Sequence, residues 1–137
     1  MSNKKVFCNL IQPGVPTRNG RIYSEEAVKK LVDMTNEQAK DGHCLVTKEP
    51  RPDGRVLLKD TVGLVRNADV ENDKMVCTIE MLNVPDAATL IKLLDAGQAS
   101  VAPLAYGHVD AEGRVDKDSL RIHGWSFVDN HVKDGDD

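Results

Sequence analysis

The chain is poor in aromatic residues, with one Trp, two Tyr and two Phe among 137 residues. Its core must therefore be assembled from Val, Leu, Ile, Met and Ala. It also lacks any run of Lys or Arg, and 18 basic residues stand against 22 acidic ones for a formal charge of −4. Neutralising phosphates needs clustered cations, so nucleic acid is not an expected partner. No apolar stretch approaches the length of a membrane span. The opening MSNKKVFCNL carries two lysines without an adequate apolar region behind them, so neither membrane segment nor secretion signal is expected. The three cysteines, Cys8, Cys44 and Cys77, are odd in number, widely spaced and without a C-x-x-C pair, which suggests neither a disulfide framework nor a zinc site. They read as small buried hydrophobes of a reducing compartment. The four histidines lack ligand spacing with cysteines or carboxylates, so no metal and no other cofactor is expected.

What is present fits one compact domain over residues 1–132, followed by a short acidic tail over 133–137. Residues Lys5 to Gln12 are β-rich and apolar, and read as a first, central strand. Ser24 offers a hydroxyl N-cap, and Glu25 and Glu26 favour a helix N-terminus. Val28, Leu31, Val32, Thr35 and Ala39 then recur at helical spacing up to Asp41-Gly42. A strand over His43 to Glu49 closes at Pro50 and the turn Arg51-Pro52-Asp53-Gly54. Asp60 to Val70 and Lys74 to Leu82 flank a hairpin turn. Pro85-Asp86 opens a second helix with Ala88, Leu90, Ile91, Leu94 and Ala96 as its apolar stripe, stopped by Gly97. A strand over Ala99 to Tyr106, broken by Pro103, a turn at Asp110 to Gly113 and a last strand from Leu120 to Asp129 complete the chain. This order predicts an α+β domain: a mostly antiparallel sheet, or a partly closed barrel, with two packed helices.

Between the first strand and the first helix lies PGVPTRNGRIY, residues 13–23. Asn19-Gly20 is a turn dipeptide, because both residues tolerate positive φ, and Pro13 and Pro16 stiffen the approach. The block Asn19-Gly20-Arg21-Ile22-Tyr23 resembles the N-G-R-I-Y-P signature of the tailed-phage prohead, or capsid-maturation, serine proteases, which are related in fold to the herpesvirus assemblins. Ser24 stands where that family usually has proline. The resemblance continues through a D-x-V-G-x-V strand, a hairpin, a short helix ending in Asp-Ala-Gly, a strand closed by Gly107, and a last strand of the form G-hydrophobic-x-hydrophobic-V. It implies the protease fold. In that family the signature reads as scaffold rather than catalyst.

A serine protease needs a nucleophilic hydroxyl, an imidazole to take its proton and a group that orients the imidazole. By the resemblance, the histidine position falls on Glu49, just before Pro50. An ordinary glutamate pKa of about 4.3 suits it poorly for activating a hydroxyl at neutral pH. His43 lies six residues of strand away, on the order of 20 Å. The nucleophile position falls on Ala102, and the family's following arginine on Leu104. Ser100 sits on the same strand face as Ala102, displaced by roughly 7 Å; it reads as an ordinary strand serine, with a displaced nucleophile as the alternative. The third position, acidic in the family, falls on Ser126. His108, His123 and His131 read as solvent-facing or structurally satisfied, with a relocated base at His123 or His131, which flank the last strand, as the alternative.

Loss of a nucleophile alone costs a triad hydrolase a factor of order 10⁶ in turnover, so three substitutions imply natural loss of catalysis. The expectation is a non-catalytic structural protein of a phage head, located in the virion, with the phage major capsid protein as partner. Capsid decoration from outside is the preferred version. An internal scaffold or core role, a maturation protease, natural or engineered-inactive, and a small binding module outside virion assembly are the alternatives, and a homo-oligomer is compatible with all of them. Lys48, Arg51, Asp53 and Arg55 cluster around one turn as a candidate contact edge.

Overall fold

The structure, a computed structural model, describes residues 3–8, 11–17, 20–72 and 74–129. Two helices and six strands follow the order β1 (Asn3–Cys8), α1 (Glu25–Lys40), β2 (Leu45–Thr47), β3 (Thr61–Glu71), β4 (Lys74–Met81), α2 (Pro85–Asp95), β5 (Ala99–Tyr106) and β6 (Arg121–Asp129). The strands form one sheet in the order β1-β4-β3-β2-β6-β5. All pairings are antiparallel except that of β2 with β6. The fold is therefore α+β with a mostly antiparallel sheet, as the pattern predicts. Its edges β1 and β5 approach each other, but among the described residues no ladder joins them, so the sheet curls and stays open.

Helix α1 forms where its sequence signals place it. Ser24 Oγ accepts the Ala27 N–H at 3.0 Å, two glutamates occupy the first turn, and Lys40 lies in the last, each favourable to the helix dipole. The apolar face Val28, Leu31, Val32, Thr35 and Ala39 is buried throughout. Thr35 spends its hydroxyl on the Leu31 carbonyl at 2.8 Å and accepts the Trp125 indole N–H at 3.0 Å. Those two bonds make a buried threonine tolerable and fix the single tryptophan against α1. With so few aromatics, Trp125 and Phe127 are the largest fully buried side chains, followed by Leu31, Met75, Ile79 and Leu120. Removing such a side chain from water contributes about 1.5–3 kcal/mol each.

Four expectations are corrected. β1 is an edge strand, not a central one: among the described residues its ladder runs to β4 alone. β2 spans three residues rather than seven; the chain bends at Lys48 and Glu49, where Lys48 N–H turns to the Asp60 carbonyl. Pro103 does not break β5: it is buried and opposite Trp125, and the ladder shifts register only between Pro103 and Ala105. In α2 the one buried residue is Ala87, while Leu90, Ile91 and Leu94 are half-buried and Ala88 and Ala96 exposed. This helix lies at the margin of the sheet and covers it with one narrow stripe.

Candidate functional site

β2, β6 and β5 lie side by side, and their registers set one row across the sheet. Thr47 is opposite Ser126, and Ser126 is opposite Ala102. Directly paired residues share a face and successive residues alternate. Thr47, Ser126 and Ala102 therefore face one way, while Val46 and Trp125 face the other, toward α1. Gly124 makes the parallel pairing possible. Its φ is +135°, and a Cβ there would stand 2.7 Å from the Leu45 carbonyl oxygen, so any side chain would push β2 away from β6.

The row is chemically quiet. Ser126 is completely buried and donates its hydroxyl to the Phe127 carbonyl at 2.8 Å. Thr47, also completely buried, shares its hydroxyl between the Glu49 and Asp60 carbonyls at 3.3 and 3.4 Å. Ala102 is half-buried and offers a methyl group. Ser100, one pleat earlier on the same face, is buried opposite Val128.

Glu49 stands apart from this row. It lies two residues beyond Thr47, past the bend that ends β2, and is exposed. With Leu90 and Leu93 of α2, Ala99 of β5, and Phe127 and Val128 of β6 it lines an open cleft of about 350 Å³. Neither Ala102 nor Ser126 reaches that cleft. The structure thus brings two of the three matched positions into direct contact and leaves the third at the neighbouring cleft, with β6 between Glu49 and Ser100.

No imidazole lines the cleft among the described residues. His43 is exposed after α1. His123 Nδ1 lies 3.0 Å from the Gly54 carbonyl oxygen, and its ring is 4.6 Å from that of Tyr106. The His108 backbone N–H is held by Ser119 Oγ. His131 falls outside the described residues. Among the described residues no group of three or more His, Cys, Asp or Glu is placed to hold a metal ion, and no helix is long and apolar enough to cross a membrane.

The signature loop has a mechanical arrangement. Gly20 N–H returns to the Thr17 carbonyl at 2.9 Å, and Thr17 N–H to the Arg21 carbonyl at 2.8 Å. Arg21 Nη1 reaches across to the Ala105 carbonyl of β5 at 3.2 Å. Ile22 pairs with the turn that precedes β6, donating to Gly113 O and accepting from Val115 N–H at 2.8 and 2.9 Å. Tyr23 is buried in the core. Gly113 is required here, since a Cβ would fall 2.2 Å from the Gly20 carbonyl oxygen at a φ of +89°. Asn19 lies outside the described residues. Arg21 and Ile22 thus tie the loop to the β5–β6 hairpin, while Gly20 closes its turn and Tyr23 anchors it in the core.

The charged turn is paired largely within itself. Arg51 meets Asp53 through two N–H···O contacts at 3.2 and 3.4 Å, and the Arg55 N–H donates to the same carboxylate at 3.0 Å. The Arg55 N–H bond first, then the Arg51 bond, holds Asp53 below the usual carboxylate range. Lys48 pairs with Asp86 at 3.2 Å and lies 3.9 Å from Asp60, and the Asp86 bond raises its pKa. Sequence reasoning missed Asp60 and Asp86 in this region, since only the three-dimensional return of the chain before β3 and at the start of α2 brings them to Lys48.

No family model matches the chain, and no curated protein matches it at a significant level. Among solved structures, the capsid assembly protease gp21 of bacteriophage T4 superposes with a TM-score of 0.71 at 19% identity, over 89% of this chain and 77% of that one. The chain therefore has a prohead-protease-like fold.

Proposed function

We propose that this chain is a non-catalytic structural protein of a phage head that docks on the major capsid protein, decorating the shell from outside. The observation that carries the reading is the chemistry of the three matched positions. Ala102 presents a methyl group, Ser126 a hydroxyl already spent on the Phe127 carbonyl, and Glu49 an exposed carboxylate in a cleft where no described imidazole stands. Hydroxyl activation needs a base of suitable pKa within hydrogen-bond reach of the nucleophile, and this arrangement supplies neither partner. The likeness in fold to a capsid assembly protease supports an origin in head assembly. A scaffold that loses its chemistry and keeps its surface can serve as a binding module.

The test is direct exposure of the purified chain to a fluorophosphonate serine-hydrolase probe, and to capsid and scaffold proteins from the same source. Absence of labelling and of cleavage is expected. Stoichiometric labelling of a serine, or defined cleavage products that disappear in a Ser100→Ala variant, would overturn the reading.

A further inference from the structure

Beyond the β2 ladder, β3 loses its neighbour. The last β2 pairing is Leu45 with Leu64, followed by a Val65 N–H bond to Cys44 O at 2.9 Å. From there to Glu71, among the described residues, only β4 accompanies β3. The open side faces α1, and between them runs a groove of about 730 Å³ whose floor includes the buried Val28 and Val32.

Two features show how that edge is finished. The Asn36 side chain behaves as a stand-in peptide group: its Oδ1 accepts the Ala68 N–H at 2.8 Å and its Nδ2 donates to the Ala68 carbonyl at 2.9 Å. The regular ladder from Asn67 to Glu71 then turns the backbone groups of Val70, two residues on, the same way. The Val70 N–H is met by the adjacent Asp69 Oδ1 at 2.8 Å, a short local contact that another strand's carbonyl can replace. The Val70 side chain is 40% exposed beside it.

The rim selects the charge of an occupant. Among the described residues, Glu25, Glu26, Asp33 and Asp69 face the groove against one cation, Lys29. The two glutamates serve the α1 dipole, but Asp33 is mid-helix and Asp69 is on a strand, so capping explains neither. We propose that this groove receives an extended, basic segment of a partner protein, which adds to the β3 edge at Val70, packs an apolar side chain against the exposed Val70, and sets its cations against Asp33 and Asp69. The surface is distinct from the Glu49 cleft, and the inference stands on the groove whether or not the chain is catalytic.

The experiment titrates isotopically labelled protein with an alternating Val/Lys heptapeptide, followed by amide NMR. Shifts confined to residues 28–36 and 68–70 are expected, with no binding of the Val/Glu counterpart. Asp33→Lys, an exposed helical change that leaves circular dichroism unaltered, is expected to weaken binding by at least about tenfold, since like charges across an interface are strongly disfavoured. A backbone N-methylated Val/Lys probe, unable to complete a ladder, should bind more weakly still. Equal binding by Asp33→Lys and the parent, equal binding of the N-methylated probe, shifts centred elsewhere, or no saturable shift would each overturn the proposal.

Discussion

Ala102 and Ser126 face each other directly across the β5–β6 ladder, so the positions that the resemblance assigns to a protease nucleophile and its third polar group are cross-strand neighbours. Placing a hydroxyl at the first would give two adjacent serines, with Glu49 at the neighbouring cleft rather than beside them. The Ala102→Ser variant is therefore expected to fold normally and to remain inactive on capsid and scaffold substrates. A gain of cleavage by that single change would mean that an unrecognised base serves the site.

The Arg21 side chain joins the signature loop to β5 through the Ala105 carbonyl. Hydrogen bonds from charged donors contribute about 1.5–3 kcal/mol when buried, and this one is only partly so. Arg21→Ala is expected to lower unfolding free energy by about 1–2 kcal/mol in urea. Gly113→Ala should cost more, because its Cβ would overlap the Gly20 carbonyl oxygen at a positive φ. A neutral result for both would remove the scaffold role assigned to the loop.

Trp125 depends on Thr35 for the partner of its buried indole N–H. Thr35→Val keeps the volume and removes the acceptor, so a loss of about 1–3 kcal/mol is expected. As the chain has a single tryptophan, its fluorescence reports this site alone. An unchanged midpoint and spectrum would show that the bond contributes little.

Burial pushes the Cys44 thiol up to about 12 and raises Cys77 as well. An unfolded thiol titrates near 8.5, so the folded state holds these protons more tightly than the unfolded one does. The stabilising preference is complete below the unfolded value and is lost as pH rises toward the folded one. Stability should fall between about pH 9 and 12, and a Cys44→Ala/Cys77→Ala double variant should show a shallower alkaline slope. At neutral pH both thiols should resist a disulfide reagent until denaturant is added. Rapid labelling of the native protein would contradict their burial.

How far the sequence speaks differs between local and distant interactions. Helix α1 was legible because Ser24, Glu25, Glu26 and the stripe from Val28 to Ala39 all act within a few turns of one another. The β3–β4 hairpin was legible for the same reason. The edge position of β1, the brevity of β2 and its parallel pairing with β6 were not: β1 is placed by its pairing with the distant β4, β2 ends where Lys48 turns to Asp60, and the β6 pairing depends on Gly124 letting Leu45 approach. The narrow cover provided by α2 escaped because its sequence is apolar enough for a broader face. At the candidate site, the residue types at Glu49, Ala102 and Ser126 were readable by resemblance. That Ala102 touches Ser126 while Glu49 stands in a separate cleft needed the registers of three strands, and the Asn36 contact with Ala68 has no sequence signal.

The central claim is that the chain persists in the finished particle as a structural component. Quantitative mass spectrometry of purified mature virions, counting this chain against the major capsid protein, tests it most directly. The account predicts intact chain at a fixed, high ratio to the capsid protein. Its absence from mature virions together with its presence in immature proheads would contradict the account and place the chain among the transient assembly components.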